Sequence, residues 1–109
     1  ETYFTEIKKN NTKGWNYHKK NNCIIAVPYG KVGFWFIDGR KNSPSYYKED
    51  KIIIGKNNYK IILVPPKIWF SFKSFAKISI VANCIDRPHS DNETLKSTNI
   101  KNYEINSCF

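Results

Sequence analysis

Long apolar runs are missing from this 109-residue chain. Runs such as residues 61–66 and 78–82 fall far short of a membrane span, so no helical crossing of a bilayer is expected. Arginine is nearly absent as well: only Arg40 and Arg87 stand among 18 basic residues, and lysine carries the net charge of +9. A surface poor in arginine supplies little bidentate recognition of phosphate or guanine. A solvated lysine-rich surface is therefore the simpler reading than a dedicated nucleic-acid face, although the charge suits a nucleotide-diphosphate ligand. Cysteine is sparse and odd in number, with Cys23, Cys84 and Cys108 far apart and without metal-type spacing. That excludes a disulfide scaffold and leads us to expect buried or incidental thiols in a reducing, cytoplasmic setting. No leading signal peptide, low-complexity tract, linker or internal repeat is visible, and no segment of 12 or more residues carries a 3.6-residue period.

What is present is aromatic and β-branched. Aromatics make up 16% of the residues, and they cluster in short stretches bounded by turn formers. The organising stretch is residues 30–46, where Val32, Phe34 and Phe36 alternate with Gly33, Trp35 and Ile37. Apolar side chains on both faces predict a strand buried on both sides. Asp38-Gly39 then turns the chain, and Pro44 is unsuited to a central strand. Further strands are expected over residues 2–7 (an edge), 14–18, 23–27, 46–54 (polar at first, then apolar at Ile52 to Ile54), 61–64, 69–75 and 77–83, the last convincing one. The polar remainder reads as loop, with at most one helical turn at residues 93–96. Seven or eight short strands in a chain of this size predict one all-β domain, a sandwich or barrel, over residues 1–109.

Several motifs follow one another in a fixed order: Lys13-Gly14-Trp15-Asn16-Tyr17-His18, Gly30-Lys31-Val32, Asp38-Gly39-Arg40 with Ser43-Pro44-Ser45-Tyr46, Val64-Pro65-Pro66 with Trp69-Phe70-Ser71-Phe72, and Asp86-Arg87-Pro88-His89. In order and spacing this series resembles the dTDP-4-dehydrorhamnose 3,5-epimerase-like and sugar 3,4-ketoisomerase-like cupins of surface-polysaccharide biosynthesis. The resemblance implies a single-domain cupin (jelly-roll) fold, a nucleotide-sugar ligand and a homodimer. Members usually carry residues ahead of the first strand seen here, and the chain begins at Glu1 rather than Met, so a missing native start is expected.

An epimerase of this kind moves protons at carbons beside a 4-keto group, which needs a base, an acid on the opposite face and a means of stabilising the enolate. By the family's pattern the base position is Asn16, which cannot take a proton, and a second histidine position holds Phe70. The family's acid is a tyrosine in the strand that here includes residues 78–82, which has none; a lysine position is Cys23. His18 matches the second histidine of the ketoisomerase branch. It shares a strand face with Asn16 and is the candidate base, with a strand-end structural role as the alternative. Lys13 and Arg40 are candidate diphosphate partners, Asn16 and Trp69 candidate substrate contacts, and Arg40 has the competing role of holding the Asp38 turn. Tyr17 faces the other way and is read as packing. Trp15 and Trp35 are core candidates, Ser43 and Ser45 turn formers, and His89 a structural loop residue. A cupin metal site asks for more histidines and an acidic residue that the motif lacks, so neither metal nor cofactor is expected. Three functions stay open: a nucleotide-sugar epimerase or isomerase, a non-catalytic cupin binding a sugar or nucleotide-sugar, and a basic nucleic-acid-binding β-barrel, for which the sequence offers only charge and aromatics.

Overall fold

Phe34 and Trp35 sit back to back in one strand, and that placement sets the architecture. In the computed structural model, which describes residues 1–87, 92–97, 99–100 and 103–104, every strand pairs antiparallel and no helix occurs among the described residues. The strands are β1 (Thr2–Lys8), β2 (Thr12–His18), β3 (Cys23–Tyr29), β4 (Val32–Asp38), β5 (Glu49–Ile54), β6 (Ile62–Val64), β7 (Ile68–Ser74), β8 (Ile78–Ile85), β9 (Thr94–Lys96), β10 (Asn99–Ile100) and β11 (Tyr103–Glu104). They form a four-stranded sheet in the order β1-β8-β3-β6, a five-stranded sheet β5-β4-β7-β2-β9, and the β10-β11 ribbon. The two larger sheets face each other as the jelly roll that the strand count anticipates.

Alternation along β4 explains how the layers are filled. Val32 and Phe34 join Phe70 and Phe72 of β7, Cys23, Ile25 and Val27 of β3, and Val81 and Ile85 of β8 in the inter-sheet core, with Phe36 packed against it. Trp35 and Ile37 point to the other side, where they are buried with Trp15 and flanked by Trp69. The expectation of a strand buried on both faces holds, with β4 hydrogen-bonded to β5 on one side and β7 on the other. Gly30, which opens this strand, has φ +92, and a Cβ there would come within 2.7 Å of the Ile78 carbonyl oxygen; only glycine fits so close a turn.

Two expectations are corrected at the C-terminal end. Residues 94–96 are not a helical turn but strand β9, and β8 is not the last strand. A three-residue segment carries too little periodicity to reveal itself; it is a strand because the free edge of β2 accepts it. Cys23 is buried and Cys84 exposed, both as free thiols, and burial raises the Cys23 thiol pKa to about 11. The readings made for Pro88, His89 and Cys108 lie outside the described residues. Among the described residues no helix is long and apolar enough to cross a membrane.

Candidate functional site

The site begins with a bulge. On β2, Lys13 lies opposite Phe72 and Gly14 opposite Ser71, but Asn16, not Trp15, lies opposite Phe70. Trp15 is thus the extra residue, and the alternation shifts by one. Without the shift Lys13 would face away from Asn16 and His18; with it, all three line one cavity between the sheets, of about 370 Å³. Gly14 permits the bulge: its φ is +110, and a Cβ would lie 2.6 Å from the Phe70 carbonyl oxygen. Trp15 is carried outward into contact with Trp35, their rings 5.3 Å apart.

His18 closes β2 and faces Thr94 of β9. This pairing brings Glu93 to the imidazole: Nδ1 lies 2.8 Å from Oε2 and 3.0 Å from Oε1. Both side chains are largely buried, at 11% and 10% exposure. Glu93 also accepts the Asn21 N–H at 3.1 Å and the Thr94 hydroxyl at 3.2 Å. Burial acts to raise its pKa. The bonds from His18 and Asn21, with the attraction of His18, outweigh burial and hold the carboxyl below its ordinary value. A carboxylate only accepts, so Nδ1 of His18 carries the proton in this bond. Nε2 has no hydrogen-bond partner among the described residues, on a side chain that lines the cavity. The ring lies nearly parallel to Phe70, 6.3 Å away. An imidazole so held can act as a proton acceptor at Nε2.

The cavity wall continues with Lys96, in register with Asn16, so that Lys13 and Lys96 both line it with the amide. The opposite wall comes from the four-stranded sheet, including Tyr3, Thr5 and Asn83. The Oδ1 atom of Asn83 is buried without a hydrogen-bond partner. Among the described residues no group of three or more His, Cys, Asp or Glu could hold a metal ion.

Two of the expected contacts are placed elsewhere. Arg40 lines a separate depression of about 500 Å³ with Phe36, Asp38 and Lys48. There its Nε and Nη2 donate to the two carboxylate oxygens of Asp38 at 3.0 and 2.9 Å, and Ser45 donates to the same carboxylate. The Arg40 bonds, with Ser45 behind them, hold the Asp38 carboxyl well below the usual carboxylate range. This is the turn-holding role weighed for Arg40. Trp69 packs on Tyr17, ring centres 4.9 Å apart, on the outer face of the five-stranded sheet, which is where Tyr17 was expected to face. Glu93, Lys96 and Tyr3 were missed by sequence reasoning. No local pattern marks them, because pairing between distant strands brings Tyr3 and Lys96 to the cavity and Glu93 to the His18 imidazole.

No protein-family model matches the chain. A probable low-salt glycan biosynthesis epimerase of Haloferax volcanii is 24% identical over 100 residues, 86% of this chain and 64% of that relative. The dTDP sugar isomerase of Desulfovibrio desulfuricans G20 shares the fold with a TM-score of 0.86 and 31% identity, over 89% of this chain and 63% of that one. The dTDP-4-dehydrorhamnose 3,5-epimerase of Sulfolobus tokodaii gives a TM-score of 0.78 and 26% identity, over 86% of this chain and 55% of that one. The chain thus spans between about half and two thirds of the length of these relatives.

Proposed function

We propose that this jelly roll, similar in fold and sequence to a dTDP sugar isomerase and a dTDP-4-dehydrorhamnose 3,5-epimerase, belongs with them, and that its inner cavity binds a nucleotide-linked keto sugar and moves a proton on it. The observation that carries this reading is the His18–Glu93 pair. Glu93 fixes the proton on Nδ1 and leaves Nε2 as the base. Nε2 takes the proton from a carbon beside the ketone, and the electron pair passes to the carbonyl oxygen. Asn16 and the ammonium groups of Lys13 and Lys96 line the same wall and supply donors for the enolate or for a diphosphate. A volume of about 370 Å³ lies in the range of small-molecule sites.

The function follows the ketoisomerase-like histidine, one alternation beyond the position now held by Asn16. A second reading rests on that same substitution. With Asn16 and Phe70 where the family's histidines stand, the cavity would hold a sugar or nucleotide-sugar without turning it over. Incubation with a 4-keto-6-deoxyhexose nucleotide in deuterated water separates the two. Deuterium at the carbons flanking the ketone, abolished in His18→Ala with binding retained, supports proton transfer; binding without any exchange supports the non-catalytic reading.

A homodimer belongs to the same proposal. The outer face of the four-stranded sheet leaves Phe4, Ile24 and Leu63 at 71%, 50% and 64% exposure. Apolar area of that kind favours a partner surface. Sedimentation of the protein as a monomer would remove this part of the reading.

A further inference from the structure

An epimerisation needs a proton returned on the face opposite its removal, and the strand in which a tyrosine was expected to supply it, β8, has none. The neighbouring strand does have one. Odd-numbered residues of β1 turn inward, from buried Ile7 through Thr5 to Tyr3 at the cavity wall. Tyr3 pairs with Asn83 of β8, and Asn83 with Ile25 of β3, so these three side chains form one row across the four-stranded sheet. All three line the cavity, and His18 lines it from the five-stranded sheet. The base and the phenol therefore belong to opposite walls of one space.

We propose that Tyr3 is the general acid that protonates the sugar on the face opposite His18, taking over from β1 the part for which β8 has no tyrosine. This rests on the proton-transfer reading above. Nε2 of His18 takes a proton from the carbon beside the ketone, and the C–H pair becomes the enolate. The enolate then reforms the carbonyl, and the same carbon takes the phenolic proton from the other side. The phenolate regains a proton and His18 loses one to water, which reaches Tyr3 because its side chain is 41% exposed. No oxidant or further reactant is required.

Two features of the surroundings fit this role. The Tyr3 hydroxyl donates to the Glu1 carboxylate, and that bond, with partial burial and the Glu1 charge, raises the phenol's pKa and keeps it a proton donor at neutral pH. Beside it, the Oδ1 of Asn83 stays buried and unpaired. Directly paired residues on one face have Cβ atoms about 4.5–5.5 Å apart. A sugar hydroxyl donating to Asn83 would thus be held next to the phenol.

Tyr3→Phe in the full-length protein tests the assignment, with a 4-keto-6-deoxyhexose nucleotide in deuterated water. Removal of the sugar proton and its return are read separately, as deuterium uptake and as formation of the inverted sugar. The expected result is uptake within a few-fold of wild type and inversion reduced about 100-fold or more, the scale of a lost general acid. Unchanged inversion in Tyr3→Phe, with wild-type uptake normal, overturns the role of Tyr3 and leaves the proton-transfer reading standing. Equal loss of uptake and inversion also overturns it, since Tyr3 would then only position the sugar. Absence of uptake in the wild type overturns both. Phenylalanine keeps the ring, and an unchanged affinity for the nucleotide confirms that the variant is folded.

Discussion

His18 and Glu93 are 75 residues apart in the chain, yet Nδ1 of the one stands 2.8 Å from Oε2 of the other. The contact exists because β9 pairs along β2 and places Thr94 opposite His18. Glu93 then sits one residue before the pairing begins, where its carboxylate meets the imidazole and the Asn21 N–H together.

Glu93→Ala should therefore affect both chemistry and stability. The tautomer of His18 loses its anchor, and deuterium uptake by the sugar should fall about 10-fold or more, within the roughly 10²–10⁴ that a general base contributes. The N–H of Asn21, a residue only 1% exposed, loses its acceptor, which costs about 1–3 kcal/mol. Urea unfolding measures the second effect, and uptake at saturating substrate the first.

Acid should weaken the fold through the carboxyls of Glu93 and Asp38 and, at the surface, of Asp86, which the Asn22 side chain holds below its ordinary value. Glu93 and Asp38 both have pKa values lowered by folding, Asp38 further than Glu93. A group so lowered binds its proton more weakly when folded than when unfolded, so its contribution is complete above the unfolded value of about 4. It is lost as the pH falls through the folded value. The melting temperature should thus stay flat above about pH 5 and drop below about pH 4. In Asp38→Asn the drop should be shallower, because the most strongly lowered of these groups no longer titrates.

Gly14→Ala probes the bulge. The added Cβ meets the Phe70 carbonyl oxygen at 2.6 Å, and φ +110 is strained for alanine. A loss of about 1–3 kcal/mol is expected. Relief of the strain would pull the bulge out of β2 and turn Lys13 from the cavity. Nucleotide affinity should fall along with stability, which isothermal titration and chemical denaturation read separately.

Cations at the cavity should matter to ligand binding and the Arg40 cation should not. Lys13→Ala and Lys96→Ala each remove an ammonium group from the cavity wall, and each should weaken dTDP binding about 2- to 10-fold, more at low salt than at high. Arg40 is engaged with Asp38 over a different depression, so Arg40→Ala should leave dTDP affinity unchanged and lower the melting temperature. Titration of the three variants at two ionic strengths checks this.

Local sequence marks strands β1 to β8 and the all-β class of fold, but not β9, β10 or β11. Alternation is a local property: Val32, Phe34 and Phe36 against Trp35 and Ile37 announce a two-faced strand whatever the rest of the chain does. Glycine and proline at the turns divide the rest, and the motif order carries the family resemblance. Asn16 and His18, two residues apart, were bound to share a face. The tertiary structure decided what meets them. Lys13 joins that face through a bulge that plain alternation would not place, and Arg40 and Trp69 leave it because their strands deliver them to other surfaces. Lys96 and Tyr3 reach the cavity, and Glu93 reaches His18, through antiparallel pairing between segments as far apart as β1 and β8 or β2 and β9. Register between distant strands depends on which edges are free and which faces must be buried, a condition of the whole sheet that no short stretch of sequence contains.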